Sequence, residues 1–160
     1  MVKVVIFDFD LTLFDSSAIK VLMDKRQWSL VYQNIDKCNF YPNAIDTLGR
    51  LYNNGIKTAI VSNAPKTYIR KVLSFYAIDI DFIVCYHDVR SHKPHPEGIF
   101  KVLDFFSINN KEAIYIGDND IDFMAAQNAN VDFCGVSWGT YSRQVKMISY
   151  DTFCAILKMK

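Results

Sequence analysis

Asp8 and Asp10 stand two residues apart in the stretch Asp8-Phe9-Asp10-Leu11-Thr12-Leu13-Phe14-Asp15. They follow Val4-Val5-Ile6-Phe7, an apolar β-branched run that reads as a buried strand. Side chains two apart on a strand share one side, so at its carboxyl end both carboxylates would face one small volume. Like charges held that close raise each other's pKa, and the pair needs a cation or a shared proton to offset the repulsion. That arrangement suits a divalent metal combined with nucleophilic or acid–base carboxylate chemistry. Taken alone, the stretch reads equally well as a strand running into an Asp-rich turn, and the rest of the chain decides between the two.

Three further polar clusters follow apolar runs. Residues 56–61 read as a second strand ending in Ser62-Asn63, with Pro65 opening a helix behind it. Free N–H groups and the helix dipole at such a start favour an anion. Residues 82–86 read as a third strand, followed by a polar loop holding His87, Arg90, His92, Lys93 and His95. Residues 113–116 read as a fourth strand running into Gly117-Asp118, with Asp122 beyond it. One polar cluster after a strand is ordinary loop chemistry. Four, each after a different strand, converge on one site if the strands are parallel.

The elements that must position these clusters alternate strand with helix. Residues 16–41 form a short helical insertion, with Ser16 or Ser17 as its cap and Ile19, Leu22, Met23, Trp28, Val31, Tyr32 and Ile35 at helical spacing. Its aromatic residues read most simply as core or interface, with a substrate lid as the alternative. Pro42-Asn43 opens a helix carrying Ile45, Leu48, Leu51 and Tyr52, which stops at Asn54-Gly55. The helix after Pro65 carries Ile69, Val72, Leu73 and Tyr76, and Pro96-Glu97 starts one with Ile99, Leu103 and Phe106. A helix over about 120–128 precedes a fifth strand at 131–136. A short helix near 143–148 and another from Asp151 follow. Alternation of this kind predicts an α/β fold, a three-layer doubly wound parallel sheet with right-handed crossovers, in one domain spanning 1–160.

The totals narrow the function. At 160 residues, 51% hydrophobic and 22% charged, the chain reads as one globular unit. A net charge of +1 argues against a broad nucleic-acid footprint. No apolar run is long enough to span a bilayer, and a strand beginning by Val4 leaves no room for a signal peptide, so a cytoplasmic location is expected. Cys38, Cys85, Cys134 and Cys154 form no Cys-x-x-Cys pair and read as free buried thiols.

Several carboxylates for a hard cation, a helix start for an anion and one lysine to balance charge read together as phosphoryl transfer, with Mg²⁺ as the suited metal. The chain resembles the haloacid dehalogenase (HAD) superfamily of phosphatases, nearest its phosphoglycolate-phosphatase-like branch. The resemblance is carried by Asp8-Phe9-Asp10-Leu11-Thr12, Ser62-Asn63, Lys93-Pro94-His95-Pro96, and Gly117-Asp118 with Asp122, over about residues 2–141. It implies a Rossmann-like HAD core and a Mg²⁺-dependent phosphomonoester phosphatase. Asp8 would be the nucleophile that forms an aspartyl-phosphate, and Asp10 the general acid and then base. Mg²⁺ would be held by Asp8, Asp118 and the carbonyl of Asp10, with Asp122 supporting a bound water or orienting Lys93. Ser62 and Asn63 would hold the phosphate of a phosphorylated substrate, Lys93 would stabilise the charge on Asp8 and the phosphoryl group, and Thr12 would shape its loop. Relatives that cleave carbon–halogen bonds lack the second aspartate, so Asp10 sets this chain with the phosphatases and phosphomutases.

Such relatives usually carry a sizeable helical cap between the first two motifs, and here residues 16–41 leave only a reduced stub. An open site for a macromolecular substrate and a lid supplied by a second subunit, as in a homo-oligomer, are both compatible with it. Two other functional readings stand beside hydrolysis. One is a binding or scaffolding module on a HAD fold. The other is a phosphotransferase or phosphomutase, which would need a lid to exclude water.

Overall fold

The computed structural model describes residues 1–142, 144–149 and 153. The strands are β1 (Val4–Phe7), β2 (Phe14–Asp15), β3 (Asn39–Phe40), β4 (Lys57–Val61), β5 (Phe82–Val84), β6 (Ala113–Asn119), β7 (Asp132–Thr140) and β8 (Met147–Ile148). The helices are α1 (Lys20–Asp24), α2 (Trp28–Gln33), α3 (Ala44–Asn53), α4 (Lys66–Phe75), α5 (Glu97–Phe106) and α6 (Asp120–Asn128). Six strands form one parallel sheet in the order β5-β4-β1-β6-β7-β8. The chain winds one way from β1 through β4 to β5, then crosses to β6 and continues the other way. The reversal falls beside β1, where a doubly wound sheet opens a crevice at its carboxyl ends.

Alternation along the strands feeds two cores. Val5 and Phe7 of β1 point to one face with Leu48 and Leu51 of α3 and Ile69, Val72 and Leu73 of α4. Val4 and Ile6 point to the other with Ile99, Val102 and Leu103 of α5 and Ala125 and Ala126 of α6. This is the expected three-layer α/β architecture. Among the described residues, no helix is long and apolar enough to cross a membrane.

Residues 16–41 leave and rejoin the body through an antiparallel pair, β2 with β3, in which Phe14 faces Phe40. Between them lie α1, α2 and two single 3-10 turns, Ser17–Ile19 and Ile35–Lys37. An aromatic cluster pins the stem: Phe14 stacks on Phe9 at 5.6 Å and meets Phe40 and Tyr76 edge-on at 5.3 and 5.9 Å.

Local expectations are corrected at five places. Residues 144–146 adopt no helix, and Met147–Ile148 instead extends the sheet beside β7, where the Gly135 N–H donates to the Lys146 carbonyl. The strand expected at 131–136 runs instead over Asp132–Thr140, four residues beyond its expected end. On α3 the buried stripe is Ala44, Thr47, Leu48 and Leu51, while Ile45 and Tyr52 face solvent, because the helix is rotated toward its smaller side chains. On α4 the buried stripe begins one residue earlier, at Tyr68. Neither Ser16 nor Ser17 caps with its side chain; Asp15 Oδ1 accepts the Ser17 N–H at 3.1 Å. Cys38, Cys85 and Cys134 are buried and free, as expected. Arg143, Cys154 and, apart from buried Phe153, the expected helix from Asp151 lie outside the described residues.

Phe14 is fully buried at the root of the insertion. Phe14→Ala is expected to lower stability by about 3–5 kcal/mol in denaturant unfolding, because the cavity left among the rings of Phe9, Phe40 and Tyr76 cannot collapse. A loss below about 1 kcal/mol would show that the stem packs independently of the body.

Candidate active site

The four strand ends converge. Asp8 ends β1, its N–H donating to the Ile116 carbonyl of β6 at 2.8 Å. The backbone then turns sharply, with the N–H groups of Thr12, Leu13 and Phe14 all reaching the Phe9 carbonyl. Leu11 takes the left-handed conformation (φ 60°), costly for a side chain of its size. That residue is fastened from outside: Trp138 of β7 donates its indole N–H to the Leu11 carbonyl at 2.9 Å and stacks on Tyr41 at 4.3 Å.

Lys93 is the centre of the site. Its ammonium lies 2.5 Å from Asp8 Oδ1, 2.7 Å from Asp122 Oδ1 and 3.2 Å from the Tyr115 hydroxyl, with a side chain only 7% exposed. Its three protons therefore have three acceptors. Burial works against the ammonium, but Asp122 and Asp8 outweigh it and hold its pKa well above the ordinary lysine value. The loop that carries Lys93 is clamped to the end of β4 by one amide. Asn63 Oδ1 accepts the Lys93 N–H at 3.2 Å, and Asn63 Nδ2 donates to the Lys93 carbonyl at 3.3 Å.

Oxygens of Asp8, Asp118 and Asp122 lie within 4.8 Å of one another, and all three residues are buried. Asp122 is saturated: Oδ1 takes Lys93, and Oδ2 accepts the Asp118 N–H at 3.2 Å. Gly117 permits that contact, because a Cβ there would overlap the Asp122 side chain. The Thr12 hydroxyl lies 3.3 Å from both Asp8 Oδ2 and Asp118 Oδ1, tying the two carboxylates together. Burial, and then Asp122, push the Asp118 carboxyl up to about 6. Burial also raises Asp8, an effect that Lys93 opposes and the two neighbouring aspartates reinforce. Three carboxylates facing one ammonium leave negative charge uncompensated in an all-oxygen setting. A hard divalent cation fits that donor set.

Asp10 stands apart from this cluster. Its Oδ1 accepts the Tyr68 hydroxyl of α4 at 2.8 Å. Burial raises its pKa, while hydrogen bonds from Tyr68 and Ser16 lower it by less. Burial also drives the Tyr68 phenol upward, so that it remains a donor. Ser62 is buried at the end of β4, and its hydroxyl accepts the Ala64 N–H at 3.1 Å. A cavity of about 530 Å³ opens over these groups. Asp8, Asp10, Ser62, Asn63, Lys93, Asp118 and Asp122 all line it. Met23, Asp24, Arg26 and Trp28 of the insertion form one side, and Tyr86 and His87 another.

The structure thus brings Asp8, Asp10, Ser62, Asn63, Lys93, Asp118 and Asp122 of the four motifs together around one cavity. Of the loop histidines, His87 lines the cavity. His92 instead stacks on Tyr86, and His95 accepts the Glu97 N–H through Nδ1. Sequence reasoning missed Tyr68, Tyr115 and the cavity-lining Asp24 and Arg26 of the insertion. Tyr68 sits in a stripe that reads as ordinary helix core, and Tyr115 inside an apolar strand. Asp24 pairs with Lys20 at 3.1 Å on the cavity wall.

Comparison with known proteins accords with this geometry. A family model described as haloacid dehalogenase-like hydrolase matches residues 18–136, a stretch containing Ser62, Asn63, Lys93, Asp118 and Asp122. Phosphoglycolate phosphatase of Psychrobacter arcticus is 31% identical over 132 residues, which are 73% of this chain and 54% of that protein. Pyrophosphatase PpaX of Bacillus cereus is 33% identical over 100 residues, 61% of this chain and 46% of that one. The chain thus spans about half the length of the curated relatives it matches. Among solved structures, a predicted phosphoglycolate phosphatase from Haemophilus somnus superposes with a TM-score of 0.84 at 20% identity, covering 98% of each chain. A HAD phosphatase from Thermococcus onnurineus gives 0.81 at 19% identity, covering 99% of each. At those identities the superpositions speak for the fold.

The raised Asp118 carboxyl makes a signed prediction for the metal-free protein. Below its ordinary value of 3.8 it is protonated, folded or unfolded, and costs nothing; above about 6 the fold bears the full cost of its charge. In EDTA, Asp118→Asn is therefore expected to be more stable than the unsubstituted protein by about 1–3 kcal/mol near pH 7, with the difference gone by about pH 4. A gain that does not change with pH would assign the effect to packing instead.

Proposed function

The chain belongs to the haloacid dehalogenase-like hydrolase family, and on that premise we propose that it is a Mg²⁺-dependent phosphomonoester phosphatase working through an aspartyl-phosphate. The observation that carries the reading is the buried Lys93 ammonium shared between Asp8 and Asp122, with Asp118 beside them. Asp8 and Asp118, with the Asp10 carbonyl, would hold the cation. When bound, it supplies charge neutralisation for the transferring phosphoryl group. Asp122, with both oxygens already engaged, serves to aim Lys93 rather than to bind metal.

The chain's own residues divide the reaction. The Ser62 hydroxyl and the Asn63 backbone N–H hold phosphate oxygens at the mouth of β4, and Lys93 balances charge on Asp8 and the phosphoryl group. An Asp8 oxygen attacks phosphorus, and the bond to the leaving oxygen breaks. Asp10 gives its proton to that oxygen, and burial, which raises its carboxyl above the ordinary carboxylate range, favours the protonated form. Asp10 then takes a proton from the water that attacks phosphorus. The Asp8–phosphoryl bond breaks, phosphate leaves, and Asp10 is again protonated.

The relatives named above are a phosphoglycolate phosphatase and a pyrophosphatase, both enzymes of small phosphorylated anions. A cavity of about 530 Å³ lies in the range that holds a small molecule. A small phosphorylated substrate is therefore our reading over a macromolecular one. Buried free thiols at Cys38, Cys85 and Cys134 suit a reducing, cytoplasmic setting.

Hydrolysis of para-nitrophenyl phosphate, with Mg²⁺ and with EDTA, tests the assignment. Turnover is expected only with metal, and Asp8→Asn is expected to abolish it in a folded protein. Asp10→Asn is expected to lower turnover of an unactivated alkyl phosphate by about 10²–10⁴-fold. Wild-type turnover in a metal-loaded Asp8→Asn variant would remove the nucleophile assignment.

A further inference from the structure

Tyr68 is fully buried, yet it carries a polar atom that a core position on α4 does not require. A buried phenol must find a partner. Tyr68 finds it in Asp10 Oδ1, 2.8 Å away and 58 residues earlier in the chain. The ring is held on two sides. Phe9, the residue between the two motif aspartates, meets it edge-on at 6.0 Å, and Trp28 of the insertion tilts over it at 6.0 Å. Ser16, the first residue of the insertion, is buried and hydrogen-bonds within the same group. The insertion therefore sends its first residue and an aromatic side chain to one spot, the Tyr68–Asp10 pair.

We propose that Tyr68 is a positioning residue that holds the Asp10 carboxyl for proton delivery to the leaving oxygen, and that the insertion at 16–41 encases this pair. The inference rests on the phosphatase reading of the site. With Oδ1 accepting from Tyr68, the acid proton of Asp10 is favoured on Oδ2. When Oδ2 gives that proton to the leaving oxygen, Asp10 becomes an anion. The Tyr68 bond then becomes charge-assisted and shorter, a gain made during the reaction and absent from the ground state. Tyr68 keeps its own proton throughout. A leaving group that departs readily as an anion needs little of this help, whereas an alkoxide needs all of it.

The test is kcat/KM with Mg²⁺ on two phosphates of similar size, activated para-nitrophenyl phosphate and unactivated benzyl phosphate. This parameter reports steps through the first phosphoryl transfer, where the leaving group departs. Tyr68→Phe keeps the ring packing and is expected to lose about 10- to 100-fold on benzyl phosphate. Its loss on para-nitrophenyl phosphate is expected to be at least about tenfold smaller. Asp10→Asn should show the same selectivity, and the double variant should be no worse on benzyl phosphate than Asp10→Asn alone, since both changes remove one function. Should Tyr68→Phe fail to fold by circular dichroism, Ser16→Ala removes the neighbouring hydrogen bond and should show the same selectivity to a smaller extent. Equal losses on both substrates, or losses that multiply in the double variant, overturn the inference. So does a Tyr68→Phe enzyme that matches wild type while Asp10→Asn is selectively impaired. Wild-type protein inactive on both phosphates overturns the phosphatase reading, and the inference with it.

Discussion

Three buried carboxylates must share one ammonium, and much of the local structure follows from that requirement. Asp8, Asp118 and Asp122 come from the ends of β1 and β6 and the first turn of α6. They can sit together only because Lys93 reaches them from the loop after β5. A buried charge removed from its partner is expensive, so every element that carries one of these groups is pinned. The Asn63 amide fixes the Lys93 backbone, and the Asp118 N–H fixes Asp122. On the far side Tyr141, packed where Gly135 and Gly139 leave room, donates its hydroxyl to the Gly117 carbonyl at 2.6 Å. The charge left uncompensated suits the site to a hard divalent cation.

The separation of Asp10 from that cluster is as informative as the cluster itself. On an uninterrupted strand Asp8 and Asp10 would face one small volume. The left-handed Leu11 and the tight turn over the Phe9 carbonyl break that alternation, and Asp10 meets a different partner on α4. One carboxylate sits beside an ammonium and the other beside a phenol in a buried corner. Burial raises both carboxyls, but the partners differ, an ammonium for Asp8 and a neutral phenol for Asp10, as suits a proposed nucleophile and a proposed proton donor. The short insertion contributes by walling the cavity and covering the phenol, both within reach of two short helices.

The doubly wound fold and the converging strand ends were legible in the sequence because both are written locally. Runs such as Val4-Val5-Ile6-Phe7 can hardly be anything but buried strand, and the motif residues follow them directly. Long-range pairings were not legible in the same way. Tyr68 lies at helical spacing among Ile69, Val72 and Leu73 and looks like core; only the fold brings its hydroxyl to Asp10. Tyr115 is concealed likewise in an apolar strand, where its hydroxyl reaches Lys93 and the Val61 carbonyl. The short edge strand β8 owes its conformation to pairing with β7, which no local signal announces. Ile45 and Tyr52 were misplaced for the converse reason. Their apolar character suggested burial, while Ala44 and Thr47 fit the sheet more closely.

The central claim is that Asp8 carries the phosphoryl group during turnover. Asp10→Asn should slow release of that group more than its formation from an activated ester, so the adduct should accumulate. Acid-quenched Asp10→Asn protein, mixed with para-nitrophenyl phosphate and Mg²⁺, can be digested and sequenced by tandem mass spectrometry. The account predicts a phosphoryl mass on the peptide containing Asp8, localised to that residue. Release of nitrophenol in proportion to enzyme, with the phosphoryl group on another residue or on none, would contradict it.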